Sequence, residues 1–328
     1  MSFGQVTELW RYPVKSLGGE QVDQIDIGVR GPHGDRLWAV RDLERDVTAT
    51  ARRIPKLLGA TARYAGPVAP DAGPGNAPEV EISFPDGTVC SSNDPDVHKK
   101  LSELVDRDVR LTALPPAGDT SLHKLSKDER ENMSIAALRK DFGITEGEKF
   151  PDMSMFRVTD LTLLGRYSTP PGMFVDLAPV HVMTRTSLDT IGAELGGDAT
   201  QVDPRRFRPN ILLTLTNPAD GLPESQWTGG QLFIGGLVLD VTMPTIRCVV
   251  PSRAQPGIEV DRRITKAVAG RAGRCLGCYC WVANGGTVSV GDEAALKEGR
   301  HRALADVARR TKRFAFSVAT SAMDRFSR

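Results

Sequence analysis

The stretch Asp203-Pro204-Arg205-Arg206-Phe207-Arg208-Pro209-Asn210, running straight into Ile211-Leu212-Leu213, is the strongest constraint this chain places on its own fold. Its two prolines discourage a helix, because each removes a backbone donor and fixes φ, and the apolar run behind them has the composition of a strand. Extended backbone alternates its side chains between faces. Arg206, Arg208 and Asn210 are therefore expected on one face, with Phe207 and Ile211 on the other, turned towards a core. A fork of guanidinium donors over a hydrophobic backing suits a phosphate or a carboxylate. The competing reading is a solvated, charged edge strand, although such edges mix Lys with Glu and this one carries three Arg and one Asp.

With 328 residues the chain can bury a large core and is long enough for two domains. A formal net charge of +1 excludes a global field favouring nucleic acid or an acidic partner, so any anion recognition has to be local. No apolar run approaches membrane-spanning length, and Met1 to Gln5 lacks the basic start of a secretory signal, so a cytoplasmic protein with no integral membrane segment is expected. Five cysteines (Cys90, Cys248, Cys275, Cys278 and Cys280) are few and odd in number, which fits a reducing compartment better than a disulfide framework. Glycine at 32 and proline at 22 supply many turns, and with period-two alternation in several places they favour a β-rich fold.

Val6 to Tyr12 reads as a strand ending at Pro13, followed by a tight connection, Val14 to Gly19, with Lys15 and Ser16 at its centre. Asp35 to Val40 reads as another strand, Gly66 to Pro78 as a loop, and Val80, Ile82 and Phe84 as one arm of a hairpin turning at Pro85-Asp86-Gly87. Val97, Leu101, Leu104 and Val105 have helical spacing and Val109 to Leu111 supplies a closing strand, so residues 1–114 are expected to form one small β-rich domain. Residues 115–173 are polar and poorly periodic and read as an inserted, connecting segment that covers a cleft. Over 174–292 regularity returns. Val180 to Met183 reads as a strand, Leu188, Ile191 and Leu195 as a helix capped by Thr186 or Ser187, and Gly235-Gly236 as a hairpin turn. Cys278 to Val282 and Thr287 to Val290 then read as a strand pair. Residues 293–328 read as a basic C-terminal helix, with six Lys/Arg from Arg300 to Arg313, packing through Leu296, Leu304 and Phe314; docking on an acidic partner or a membrane surface is the alternative.

Tyr12-Pro13-Val14-Lys15-Ser16, Asp35-Arg36-Leu37-Trp38, Arg206 to Asn210, Glu224-x-x-Trp227, Arg247-Cys248 and Val290-Gly291-Asp292 occur in this order in proteins with a MOSC domain behind a β-barrel N-terminal partner. From about Val6 to Asp292 the chain resembles this family, which includes the mitochondrial amidoxime-reducing component and its bacterial relatives. The resemblance implies an α+β, β-rich fold centred on a barrel, and a bound molybdenum cofactor (Mo-molybdopterin) whose metal takes one cysteine thiolate. Carried over position by position, it makes Cys248 the metal ligand and catalytic residue and gives cofactor oxygens to Lys15 and Ser16. Arg36, Arg206, Arg208, Asn210 and Arg247 would join them, with Ser187 beside the cofactor. Pyridoxal phosphate binding is a further association of such domains.

The implied activity is reduction of an N-oxygenated, N-hydroxylated small molecule. The chain has neither a ferredoxin-type cysteine run nor a Gly-x-Gly-x-x-Gly opening a helix, so electrons would come from a separate flavin or iron–sulfur protein. The run Val249 to Gly257 departs from the family's Thr-Thr-Val-Asp-Pro-x-Thr-Gly-like continuation, which motivates an alternative: a carrier of molybdenum cofactor or sulfur that performs no turnover. A third reading keeps only an anion pocket in a barrel. Cys275-x-x-Cys278-x-Cys280 is one ligand short of a closed zinc site and is expected to supply buried small hydrophobes.

Overall fold

Eight strands make the largest sheet: β1 (Gly4–Arg11), β2 (Glu20–Val22), β3 (Val180–Thr184), β4 (Ile211–Leu215), β5 (Gln231–Ile234), β6 (Leu237–Ile246), β7 (Cys275–Asn284) and β8 (Glu293–Lys297). Their order in this computed structural model is β4-β3-β7-β6-β5-β8-β1, and β1 also pairs with β4, so these seven strands close into a barrel to which β2 is appended. The β3–β4 pair is parallel and the other pairs are antiparallel. The structure describes residues 3–299 apart from 132–133, 157, 197–201 and 218–220.

Closure depends on one irregularity. The register between β1 and β4 slips between Val6 and Glu8, leaving Thr7 as the extra residue of a bulge. Val6 and Leu9, three positions apart, can then both turn inward, where they are buried with Val182, Ile211, Leu239 and Cys280. Strand β6 shows the regular case, burying every second side chain from Leu237 onward.

From Tyr12 the chain leaves the barrel and builds a second core. The strands Trp38–Asp42, Val47–Thr48 and Val109–Ala113 form one small sheet, and Thr61–Tyr64, Val80–Ser83 and Val89–Ser91 another. The helix Val97–Val105 buries Val97, Leu101 and Val105 between them, as the spacing predicts. A third cluster lies outside the barrel. There the helices Arg185–Glu194 and Arg263–Ala272 pack Leu188, Ile191, Ile264 and Val268 against Met183, Phe207 and Leu212.

The inserted segment contributes the helices Lys127–Glu131, Ile135–Phe142 and Val158–Arg166. Two of its acids are buried against arginines of the second core: Glu129 pairs with Arg45 and Arg53, and Asp141 with Arg52 and Arg53. It also reaches the loop beyond β6, since the Val249 amide donates to the Asp141 carbonyl at 3.2 Å.

Several local expectations change. Glu293–Lys297 is a strand of the barrel and not the start of a helix, because its alternate burial of Ala294 fills the gap between β5 and β1. Leu296 packs on the barrel core, whereas Leu304, Phe314 and the basic run lie outside the described residues. The cap of Arg185–Glu194 is Thr184, whose side chain accepts from the Ser187 amide, so neither Thr186 nor Ser187 serves. Gly286–Ser289 pairs with Gln24–Gly28 instead of with β7, which ties the chain's end to its start. Among the described residues no helix is long and apolar enough to cross a membrane.

If β1 closes the barrel, Leu9→Ala leaves a cavity inside it and is expected to cost about 2–5 kcal/mol. Val89→Ala, on a side chain 55% exposed, should stay within about 0.5 kcal/mol. Urea unfolding of both variants checks this, and similar losses would refute the closing role.

Candidate functional site

Pro13 ends β1 and sends Tyr12 to Leu17 across the mouth of the barrel. Tyr12 is the pivot. It is buried, its hydroxyl donates to the Pro209 carbonyl at 3.1 Å, its amide donates to Asp35 Oδ1 at 2.8 Å, and its carbonyl accepts from the Arg36 amide at 2.7 Å. Asn210 completes the knot by donating to the Trp10 carbonyl and to Asp35 Oδ1, both at 3.3 Å, while its own oxygen accepts from the His181 amide at 3.1 Å. With donors and acceptor thus used, Asn210 binds the three segments to one another.

Around this pivot three cations converge from distant parts of the chain. The Arg208 guanidinium stacks 4.2 Å from the Tyr12 ring centroid, and that of Arg36 lies 5.1 Å from it. Lys15 is buried and pairs with Asp176, while Arg36 pairs with Asp35. Arg208 donates through Nη1 to the Leu17 carbonyl, but its buried Nη2 has no partner. Burial, with Arg36 nearby, lowers the Arg208 pKa to about 10. Burial likewise lowers that of Lys15, against the pull of Asp176. Cations held this way are short of negative charge and of acceptors.

The backbone points to the same place. Six described residues other than glycine have φ in the left-handed region, and three of them are Ser16, Arg36 and Arg208. Each such conformation costs on the order of 1–3 kcal/mol and persists only where the surroundings enforce it, typically at functional sites. The strand expected over Asp203–Asn210 is therefore absent. Asp203 caps a short 3-10 turn over Pro204–Arg206, and Arg208 reverses direction before β4 begins. Arg206 consequently leaves the group, giving its donors to the carbonyls of Pro251 (3.1 Å), Arg253 (3.4 Å) and Glu259 (2.7 Å). Phe207 and Ile211 are buried as expected, although in different cores.

Cys248 sits just past β6, partly exposed, within the fields of Arg52, Arg247 and Asp176. Burial pushes the thiol up despite Arg52, so the free side chain is protonated at neutral pH. Arg247 acts through structure: it donates to the carbonyls of Leu276 (2.9 Å) and Phe207 (3.1 Å) and to His181 Nε2 at 2.7 Å. The Nε2 of His181 is thus its acceptor, and Nδ1 carries the proton it gives to the Arg208 carbonyl at 3.2 Å. This approach requires Gly277, with φ of +79°, because a Cβ there would come within 2.4 Å of His181 Nε2.

Asp176 links the halves. Lys15 above all, then Arg36 and Arg52, holds the carboxyl well below the usual range. Its side chain is 75% exposed, so the charge lies at an accessible surface of the cluster.

Of the residues singled out from sequence, Lys15, Arg36 and Arg208 come together, and Asp176 and Tyr279 connect them to Cys248, with Arg247 beside it. Ser16 lies beside them, but its hydroxyl accepts from the Ala51 amide at 3.0 Å and so fixes the loop that carries Arg52. Ser187 is fully buried and donates to Glu224, away from the cations. Reading the sequence missed Asp176, Arg52, Tyr12, His181 and Tyr279 as site residues. Only the Arg52-Arg53 pair carried a signal of charge. Cys278 and Cys280 are buried in the barrel with sulfurs 3.9 Å apart, and no group of three or more His, Cys, Asp or Glu arranged to hold a metal occurs among the described residues.

Two family models match the chain, the MOSC domain over residues 170–295 and the MOSC N-terminal beta barrel domain over residues 3–102. The chain carries both domains of the MOSC family. Mitochondrial amidoxime reducing component 2 of Bos taurus is 25% identical over 265 residues, covering 79% of this chain and 69% of that protein. The protein of the same name from Rattus norvegicus is 25% identical over 271 residues, with 79% and 70% covered. Among solved structures, the YUAD protein from Bacillus subtilis is 12% identical with a TM-score of 0.40, covering 89% of this chain and 94% of that one. The MOSC N-terminal match begins one residue before β1 and takes in the whole strand, so the first strand of one domain is a stave of the other's barrel.

The electrostatics of this MOSC site yield a pH test. Burial, then Arg247, holds the His181 pKa well below its ordinary value, so the native imidazole stays neutral. Below about pH 6.5 the unfolded chain binds a proton that the native state refuses, and stability falls as pH falls by up to about 1.4 kcal/mol per unit for this one group. His181→Asn should flatten the decline in urea midpoint between pH 7 and 5.5. An unchanged slope would place the acid sensitivity elsewhere.

Proposed function

We propose that this protein is an oxidoreductase that binds a molybdenum–pterin cofactor and reduces N-oxygenated small molecules with electrons from a separate flavin or iron–sulfur protein. The observation that carries the reading is the cluster of buried Lys15 with the partly buried Arg36 and Arg208, whose Nη2 is orphaned, joined to Cys248 through the shared acid Asp176. An orphaned guanidinium donor among cations fits a phosphate oxygen, and a soft thiolate fits a sulfur-rich molybdenum centre. Lys15, Arg36 and Arg208 would hold the cofactor's phosphate, and Cys248 would ligate its metal.

When bound, the cofactor supplies the two-electron redox chemistry. The chain's own residues supply the rest. Tyr12 and Asn210 keep the cations at fixed positions, so that anion binding needs no reorganisation. Cys248 must lose its proton on ligation, so loading releases a proton and weakens as pH falls. Asp176 presents an accessible, acceptor-only carboxylate near Cys248, suited to a substrate head that donates N–H or O–H.

Molybdenum analysis together with oxidative release of fluorescent pterin, on protein from a host that makes the cofactor, tests the assignment. Near-stoichiometric molybdenum and pterin are expected in the wild type. Cys248→Ala should lose molybdenum, and Arg208→Ala should weaken pterin retention on the order of 10- to 100-fold. Absence of both from the wild type, even after reconstitution, would overturn the reading. Borohydride reduction with added pyridoxal phosphate runs in parallel, and labelling of Lys15 there would assign the pocket to that phosphate instead.

A further inference from the structure

A cavity of about 270 Å³ lies between the helix Val158–Arg166 and the barrel strands β6 and β7, and it opens onto Asp176. Leu163, Leu164 and Tyr167 of the inserted segment contribute to one wall, and Met243 and Trp281 to the other. The volume falls just below the range of small-molecule sites, which run from roughly 300 to 1,000 Å³. Ten large hydrophobic side chains are exposed among the described residues, and three of them, Leu163 (40%), Leu164 (37%) and Trp281 (37%), line this one cavity. Scattered exposed apolar residues need no explanation, whereas a cluster rimmed by charge marks a binding surface.

We infer that this groove is the specificity pocket for the apolar body of the substrate, with Leu163, Leu164 and Trp281 as the residues that discriminate among substrates and Asp176 at the end where the nitrogen head would sit. The inference rests on the reductase reading and adds the residues that set its specificity. Two features of the cavity argue for this occupant. Its charged lining groups, Asp160 and Asp176, are both acidic, so an anionic body is disfavoured while a head rich in N–H and O–H donors is accepted. Its position is continuous with the candidate site, because Asp176 belongs both to the groove and to the group around Lys15, Arg36 and Cys248. An apolar body seated against Leu164 and Trp281 would have Asp176 within the same groove for its head. The inserted segment, which supplies one wall, would then decide which substrates enter.

The test compares benzamidoxime, acetamidoxime and 4-carboxybenzamidoxime binding to the full chain as purified, by titration calorimetry, alongside turnover by molybdenum-loaded protein with an artificial low-potential donor. Benzamidoxime should bind on the order of tenfold or more tightly than either other compound, as a filled apolar pocket allows. That preference should collapse in Trp281→Ala and, independently, in Leu164→Ala; both side chains are partly exposed, so at least one variant is expected to fold. If the preference survives in both variants, or is absent from the wild type, the groove assignment is overturned whether or not the enzyme turns over. If the preference depends on the groove but the loaded protein reduces none of the compounds, the pocket stands and the reductase reading falls.

Discussion

The pairing of β1 with β4 is the interaction on which the rest of the structure depends. It closes the barrel, and because β1 comes from the start of the chain it anchors the N-terminal segment inside the MOSC fold. The residues that follow are delivered directly to the barrel mouth. Lys15 lies four positions beyond the last residue of β1, and Arg208 three before the first residue of β4. Two cations separated by nearly two hundred residues of chain are therefore neighbours because the strands that carry them are hydrogen-bonded. The bulge at Thr7 keeps Val6 and Leu9 in the core while the strand makes this approach.

That arrangement is costly by itself. Buried Lys15 and the partly buried Arg36 and Arg208 lose hydration, and among the described residues Asp35 and Asp176 are the acids that pair with them. Left-handed backbone at Ser16, Arg36 and Arg208 adds strain. A fold that retains such terms holds them with compensating contacts, and these are visible: Tyr12 stacks on both arginines, and Asn210 and Asp35 bind the flanking segments. The cations are thereby pre-positioned for an anion, which is the condition under which electrostatic binding is strongest. The inserted segment adds a different property, since it packs on the Cys248 loop through Asp141 and walls the apolar groove with Leu163 and Leu164.

Where sequence reasoning went astray, a nonlocal term overrode a local pattern. The alternation drawn over Asp203–Asn210 assumed uniform extension, but two prolines and the Asp203 cap favoured a turn, and Arg206 was redirected to carbonyls of a loop some fifty residues away. Glu293–Lys297 has helix-forming composition, yet the barrel offered it two unpaired strand edges. Ser187, whose Ser-Leu pair resembles a position beside the cofactor, gives its hydroxyl proton to Glu224, a partner no local pattern shows.

The sequence by itself determined the β-rich class, the hairpins and the helix Val97–Val105, because alternation, turn residues and helical spacing are local properties of the chain. Ordered motifs also make Lys15, Arg36, Arg208 and Cys248 candidates, beside Ser16, Ser187, Arg206, Asn210 and Arg247. Only the tertiary structure decided that Lys15, Arg36 and Arg208 meet and share Asp176 with Cys248, and that side-chain donors of Arg206, Asn210 and Ser187 are taken by partners within the chain. Burial, stacking and hydrogen-bond partners are set by residues remote in sequence, and no local pattern carries the distance between them.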